Sequence, residues 1–304
     1  MRLNLDFLKE QCLCVSGLSI SVSDNKFYDV YCCRVYNSID KRMDYNWVKD
    51  HIDEYLEITI DKPFIVNQRY PEGYCLCSQN DKICNKKIIP NQMIKSLSIG
   101  TLTSCNYNCP NCAQKLNKKS NLTVKEEIEL TCNIIEKLSK YKYISELILS
   151  NNGEISLYNT DRICNAIIQN GNIKSVDILT NGSNYIEINK MSEKLKKHRI
   201  ECQLNISFYS FNNDLYKKLT GQTNVSNILD NLEKFTCKRI FVNFIIFKEN
   251  INEIDKVLQY CKEHGFMLYL APNMWDNDMH KKLIELKENE DLRKYACFEG
   301  DNIV

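Results

Sequence analysis

The residues best suited to chemistry are three cysteines, Cys105, Cys109 and Cys112, which lie in the segment 104–112 (SCNYNCPNC). Thiolates are soft ligands, and several of them from one short loop suit zinc or an iron–sulfur cluster better than a hard cation. Structural metal sites are normally closed by four protein ligands, so three thiolates leave one metal position open to water, substrate or a cofactor. Pro110 stiffens the turn between the last two cysteines. The spacing therefore predicts a compact and open metal centre.

The spacing Cys-x3-Cys-x2-Cys resembles the signature of the radical S-adenosylmethionine (SAM) enzymes. The resemblance implies that the three thiolates hold a [4Fe-4S] cluster, that SAM chelates its fourth iron, and that reductive cleavage of SAM gives a 5′-deoxyadenosyl radical that abstracts hydrogen from a substrate. It also implies an electron donor such as a flavodoxin or a ferredoxin. The sequence departs from the family at Asn111, where an aromatic residue is common. A zinc site can have the same spacing, so the rest of the chain has to agree.

Composition narrows the class of protein. The 304 residues include 40 basic and 39 acidic residues, a net charge of +1, which gives no electrostatic indication of nucleic-acid binding. No apolar run approaches the ~18 residues of a membrane span, and the start of the chain lacks the features of a signal peptide. Sixteen cysteines in such a chain predict a reducing, cytoplasmic location, where clustered cysteines indicate metal sites rather than disulfides.

Strand and helix patterns alternate six times along the body of the chain. The expected strands are 97–102, 144–149, 173–179, 200–208, 240–247 and 267–270. The expected helices are one that starts at the capping box Thr123-x-x-Glu126, then 161–169, 188–197, 225–235, 254–261 and 280–288. This alternation predicts an α/β fold with a parallel sheet, either doubly wound or curved as part of a barrel. The resemblance favours a partial (β/α)6 TIM-like barrel.

Polar or glycine-bearing residues follow each of the first four expected strands. The cysteines follow the first, and the others are Gly153-Glu154, Thr180-Asn181-Gly182 and Ser207. Because the carboxyl ends of parallel strands share one rim, we expect these residues to line a single site, although each alone is typical of an ordinary turn. The resemblance implies that Gly153 and Glu154 line the SAM amino group, that Thr180 and Asn181 lie near its ribose, and that Ser207 lies near its carboxylate or ribose.

We expect three regions: a cysteine-rich module at 1–92, the barrel at 93–290 and a tail at 291–304. In the first, residues 18–22 and 27–31 have the pattern of a hairpin. Its cysteines resemble those of SPASM or twitch modules, which implies an auxiliary iron–sulfur cluster. A zinc site and ordinary reduced cysteines are the alternatives. The candidate ligands are Cys14, Cys33, Cys75, Cys77 and Cys84.

The substrate is the least constrained prediction. An auxiliary module resembles enzymes that modify peptides or proteins, so a peptide in ribosomal peptide maturation is the first expectation. A small molecule or a sugar is the second. A non-catalytic zinc or iron–sulfur binding protein is the alternative from another class.

Overall fold

A computed structural model describes residues 17–23, 26–31, 35–36, 43–57, 60, 64–65, 87–88, 95–112, 122–149, 152–273 and 276–298. Within this part of the chain the strands are β1 (Gly17–Ser23), β2 (Lys26–Tyr31), β3 (Val35–Tyr36), β4 (Met43–Asp44), β5 (Phe64–Ile65), β6 (Lys87–Ile88), β7 (Ser96–Gly100), β8 (Glu146–Leu149), β9 (Ser175–Thr180), β10 (Glu201–Phe208), β11 (Arg239–Ile246), β12 (Met267–Pro272) and β13 (Ala296–Phe298).

The helices of the described residues are α1 (Tyr45–Asp50), α2 (Ile52–Leu56), α3 (Val124–Lys137), α4 (Thr160–Asn170), α5 (Tyr185–Lys197), α6 (Asn213–Thr220), α7 (Val225–Leu232), α8 (Ile254–His264), α9 (Asn277–Lys287) and α10 (Glu290–Tyr295). The predicted capping box is present, with the Thr123 side chain and the Glu126 side chain each bonded to the other's backbone N–H. No helix of the described residues is long and apolar enough to cross a membrane.

The order of the strands distinguishes a barrel wall from a doubly wound sheet. From β7 to β13 each strand pairs in parallel with the next strand along the chain. Right-handed crossovers that always step in one direction leave every connecting helix on the same face of the sheet. A doubly wound sheet would reverse direction once. The partial TIM-like barrel is therefore confirmed, and β13, which is only three residues long, extends the series that begins at β7 to seven strands.

The two faces of this sheet differ because successive side chains along a strand point in opposite directions. The outer face packs under the helices in one hydrophobic cluster, where Leu97, Ile178, Leu204 and Val242 are fully buried. The inner face carries the intervening residues. Several of these are only partly buried, namely Ile148, Asp177, Leu179, Gln203, Ser207, Asn243, Ile245 and Tyr269.

The predicted hairpin at the start of the chain joins the same sheet. β1 and β2 are antiparallel, with Leu18 opposite Tyr31 and Val22 opposite Phe27. β1 in turn runs parallel to β7, with Gly17 beside Ser96 and Ser21 beside Gly100. The first barrel strand therefore has a neighbour on each side. The five cysteines predicted to hold an auxiliary cluster all lie outside the described residues.

Candidate active site

The three cysteines lie where the sequence predicted them, in the loop 101–112 that follows β7. None of the three forms a disulfide, and all three are partly exposed. The loop turns tightly, since the Cys112 N–H donates to the Cys109 carbonyl (3.2 Å). The Tyr107 N–H lies 3.4 Å from the Cys105 sulfur, as a donor to it. Backbone N–H groups aimed at sulfur stabilise a thiolate, so the local fold of the loop suits a ligand role for Cys105.

A buried carboxylate holds the segment that leads into the loop. Glu127 of α3 is fully buried, and its carboxylate accepts hydrogen bonds from the Thr103 N–H (3.2 Å), the Thr103 hydroxyl and the Tyr158 hydroxyl. The Tyr158 oxygen accepts from the Ser104 N–H at 2.7 Å. These contacts satisfy donors that would otherwise be unpaired at the end of β7. They fix the backbone at the residue immediately before Cys105.

Gly153 and Glu154 pack directly against the same segment. The Glu154 N–H donates to the Ser104 carbonyl (2.9 Å). A Cβ atom on Gly153 would lie 2.6 Å from the carbonyl oxygens of Leu102 and Ser104, closer than real Cβ contacts. The absence of a side chain is therefore what lets the turn after β8 approach the cysteine loop.

The Glu154 carboxylate ties the end of β8 to the end of β9. It is fully buried and accepts from the Thr180 hydroxyl (2.8 Å), the Asn181 N–H (2.6 Å) and the Ser156 N–H (3.0 Å). Three donors around one carboxylate compensate for its burial. In the described structure, Glu154 thus acts first as a clamp between two strand ends.

Asn181 carries the connection on to the cysteines. Its Nδ2 donates to the Asn106 side-chain oxygen (2.8 Å) and lies 3.9 Å from the Cys105 sulfur. Asn106 Nδ2 in turn donates to the Ser183 hydroxyl (3.0 Å). The predicted rim residues Gly153, Glu154, Thr180 and Asn181 are therefore joined to the loop by a continuous set of hydrogen bonds.

The opposite side of the loop rests on the turn after α6. The Asn108 N–H donates to the Thr220 carbonyl (3.3 Å), and Gln222 Nε2 donates to the Asn106 carbonyl (3.0 Å). Gly221, with φ of +76°, lies so close that a Cβ atom there would be 3.1 Å from the Asn108 oxygen. Their contacts with the loop were missed from the sequence, because nothing in the local pattern of residues 220–222 links them to residues 106 and 108.

Two further tyrosines, Tyr216 and Tyr209, lie beside the loop. The hydroxyls of Tyr107 and Tyr216 are 3.2 Å apart, and burial raises the pKa of Tyr107 to about 12. Burial also raises the pKa of Tyr209 well above its usual value, and the negative charges of the three cysteine thiolates raise it further. The Tyr209 phenol therefore lies within reach of the charge of the thiolates. Ser207 lies two residues earlier in the chain, on β10, where it points to the inner face of the sheet and is partly exposed.

The charge around the thiols is negative. Burial raises the pKa of the Cys105 thiol above its usual value, the charges of Glu154 and Cys112 raise it further, and the Tyr107 N–H and the Asn181 amide lower it. A bound cationic metal would offset these negative charges and keep the thiols ionised. Among the described residues, no group of three or more His, Cys, Asp or Glu side chains is arranged to hold a single metal ion. The suitability of these three cysteines for an iron–sulfur cluster therefore rests on the chemistry of their thiols and on the negative charge around them.

The family match agrees with this chemistry. Residues 99–286 match the family model described as the Radical SAM superfamily. A protein of Methanococcus aeolicus named "Probable GTP 3′,8-cyclase" is 29% identical over 204 residues, which cover 64% of this chain and 65% of the relative. The protein of the same name from Methanocaldococcus jannaschii is 29% identical over 184 residues, 58% of each chain. The chain thus spans less than two thirds of either relative. The solved "Structure of TYW1 with a lysine-pyruvate adduct bound" is 17% identical, with a TM-score of 0.42, and the match covers 62% of this chain and 69% of that one.

Proposed function

The chain belongs to the radical SAM superfamily, and on that premise we propose that Cys105, Cys109 and Cys112 hold a [4Fe-4S] cluster beyond the end of β7, with SAM on its open side. When bound, this pair supplies a 5′-deoxyadenosyl radical for hydrogen abstraction. The single observation that carries the assignment of residues is the hydrogen-bonded chain from Cys105 through Asn181 to Glu154. It ties the thiol loop to the ends of β8 and β9, where a cofactor bound at the loop would lie.

In this proposal the protein's own residues bind, orient and shield. Thr103, Glu127 and Tyr158 hold the entry to the loop, and Gln222 holds its exposed side. The turn Gly153-Glu154 would lie beside the ammonium group of SAM, with the buried Glu154 carboxylate supplying negative charge there while it clamps the ends of β8 and β9. Asn181 lies between Glu154 and the cysteine loop. The partly exposed inner face of the sheet offers the substrate a surface beside the site.

The substrate we propose is a small molecule. Both of the relatives described above are named as cyclases of GTP, which is a nucleotide, and this supports the second of the two substrate classes expected from the sequence. Modification of a peptide stays a prediction without support from these relatives. A non-catalytic metal protein is not supported, because the family consists of enzymes of the radical SAM type.

The proposal is tested with the full chain, reconstituted anaerobically with iron and sulfide and supplied with a reductant and SAM. We expect a brown protein that contains iron and acid-labile sulfide and forms 5′-deoxyadenosine, and we expect Cys109→Ala to form none. Cys261→Ala is the matched control, because Cys261 is buried in α8 away from the loop. Zinc without iron, or unchanged deoxyadenosine formation by Cys109→Ala, would contradict the proposal.

The auxiliary cluster on Cys14, Cys33, Cys75, Cys77 and Cys84 stays a prediction, as does a flavodoxin or ferredoxin donor. Iron analysis separates the cases, because one cubane contributes four irons per chain and a second one adds to that number. Replacement of Cys75 and Cys77 by Ala should lower the iron content and leave the SAM-dependent site in place if the second cluster exists.

A further inference from the structure

The inner face of the barrel wall is polar in its central strands. Alternation along β9, β10 and β11 directs Asp177, Gln203, Asn205, Ser207 and Asn243 to this face. Their register brings them together: Asp177 lies beside Gln203, and Ser207 lies beside Asn243. Most inward positions of a structural core would be apolar, as the outer face of the same strands is. Asp177 and Asn205 hydrogen-bond each other, whereas the Asn243 side-chain oxygen has no partner.

Asn243 has a buried acceptor with no partner. Its side-chain oxygen Oδ1 is buried and receives no hydrogen bond. An unpaired buried polar atom costs roughly 1–3 kcal/mol, and in native structures such atoms are few. Its neighbours in register are Ser207 on one side and Tyr269 on the other. A ligand that donates a hydrogen bond at this position would satisfy the Asn243 oxygen.

The neighbouring groups are also acceptors rather than cations. The Asp177 carboxylate accepts a hydrogen bond from the Asn205 side-chain amide, which orients Asn205. On the inward positions of the described strands β7–β12, the one cation is Arg239. It is exposed at the amino end of β11, and a strand rise of ~3.3 Å per residue sets it about 13 Å from Asn243, on the side away from the cysteines.

We propose that this wall binds an uncharged part of the substrate that donates hydrogen bonds, such as the base or sugar of a nucleoside, and that it does not bind a polyphosphate. The inference rests on the proposed function and adds the chemical class of the substrate. Polyphosphate recognition needs arginine or lysine side chains or helix amino ends around the phosphates. The described wall instead presents a carboxylate and amide oxygens.

Guanosine and GTP are the matched probes, because they differ only in the phosphates. Their binding to the reconstituted full chain, with SAM present, is measured by equilibrium dialysis. We expect dissociation constants that differ by less than fivefold. Asn243→Leu, which keeps the shape and removes the acceptor, should weaken guanosine about tenfold, which corresponds to ~1.4 kcal/mol for a lost buried hydrogen bond. Asn243→Asp keeps an acceptor and should retain most of the affinity. Arg239→Gln is the control and should not change the affinity.

Binding of GTP at least fivefold tighter than guanosine would overturn the proposal. So would the absence of guanosine binding to the wild type, or equal affinities in wild type and Asn243→Leu. The comparison of the two probes on the wild type requires no variant, so a poorly folded Asn243→Leu does not prevent a decision. Deoxyadenosine formation by the same wild-type preparation tests the proposed function separately. SAM cleavage without guanosine binding refutes the inference about the wall alone.

Discussion

Replacement of Gly153 by alanine is the sharpest mutational test of how the cysteine loop is held. The added Cβ atom would lie 2.6 Å from the carbonyl oxygens of Leu102 and Ser104 and 3.0 Å from the carbonyl carbon of Thr103. All three are backbone atoms, so no side chain can rotate away. The backbone of Gly153 is not in the left-handed region, and the cost of the substitution is therefore one of space alone.

The size of the effect follows from the displacement. Ordinary van der Waals contact begins at 3.4 Å, so the two segments must separate by 3.4 − 2.6 = 0.8 Å. Overpacking of this kind costs about 1–3 kcal/mol of folding stability. The displaced residues directly precede Cys105, and a shift of about 1 Å in an active site can cost on the order of 100-fold in rate. We therefore expect Gly153→Ala to lose about 10- to 100-fold in deoxyadenosine formation together with bound iron.

Gly265→Ala is the matched control in the same chain. Gly265 ends α8 with φ of +69°, and a Cβ atom there would meet nothing within 4 Å. Alanine at this position is strained by the left-handed backbone and costs about 1–2 kcal/mol. Urea unfolding should thus show similar losses in the two variants, while iron content and deoxyadenosine formation should fall only in Gly153→Ala. Equal iron and equal turnover in both variants would refute the close approach of Gly153 to the loop.

Three further changes test other contacts. Glu154→Gln replaces one carboxylate oxygen by a donor that faces the Asn181 N–H or the Thr180 hydroxyl. We expect the free energy of unfolding in urea to fall by ~2 kcal/mol. A fall below about 0.5 kcal/mol would contradict the role of Glu154 as a clamp. Burial raises the pKa of Asp177 from 3.8 to about 6, so ionisation destabilises the fold as pH rises through this window, by up to about 3 kcal/mol. In the metal-free chain, Asp177→Asn should abolish the decrease in the free energy of unfolding, measured in urea, between about pH 4 and about pH 6.5. An identical pH profile in the wild type and the variant would refute the raised pKa of Asp177. Gln222→Ala removes one bond to the cysteine loop and should speed the loss of iron to a chelator without a change of more than ~1 kcal/mol in stability.

Much of the barrel could be predicted because its signals are local. The capping box at Thr123 and the period-two pattern of β10 depend on neighbouring residues alone, and both elements are present. The position of the cysteines, Glu154 and Asn181 at strand ends followed from the alternation of elements, since parallel strands bring their carboxyl ends to one rim. The hairpin of β1 and β2 also followed from its turn and its alternation.

The contacts that the sequence did not reveal are those between distant segments. Gln222 and Asn106 are separated by 116 positions, and Glu127 and Tyr158 by 31, so no local pattern connects them. The strand β13 has only three residues, too few for a periodic signal, and it is stabilised by pairing with β12. The role of Glu154 was expected from the family resemblance, whereas its contacts to Thr180 and Asn181 depend on the tertiary fold.

Cys105, Cys109 and Cys112 are proposed to hold the cluster at which SAM binds, and electron paramagnetic resonance of the reduced, reconstituted full chain, recorded with and without SAM, tests this assignment. We expect SAM to change the spectrum of the wild type. A variant with all three cysteines replaced by alanine should show no SAM-dependent change, even if it retains other iron. A SAM-dependent change that persists in the triple variant, or its absence from the wild type, would show that SAM does not bind at a cluster on these cysteines.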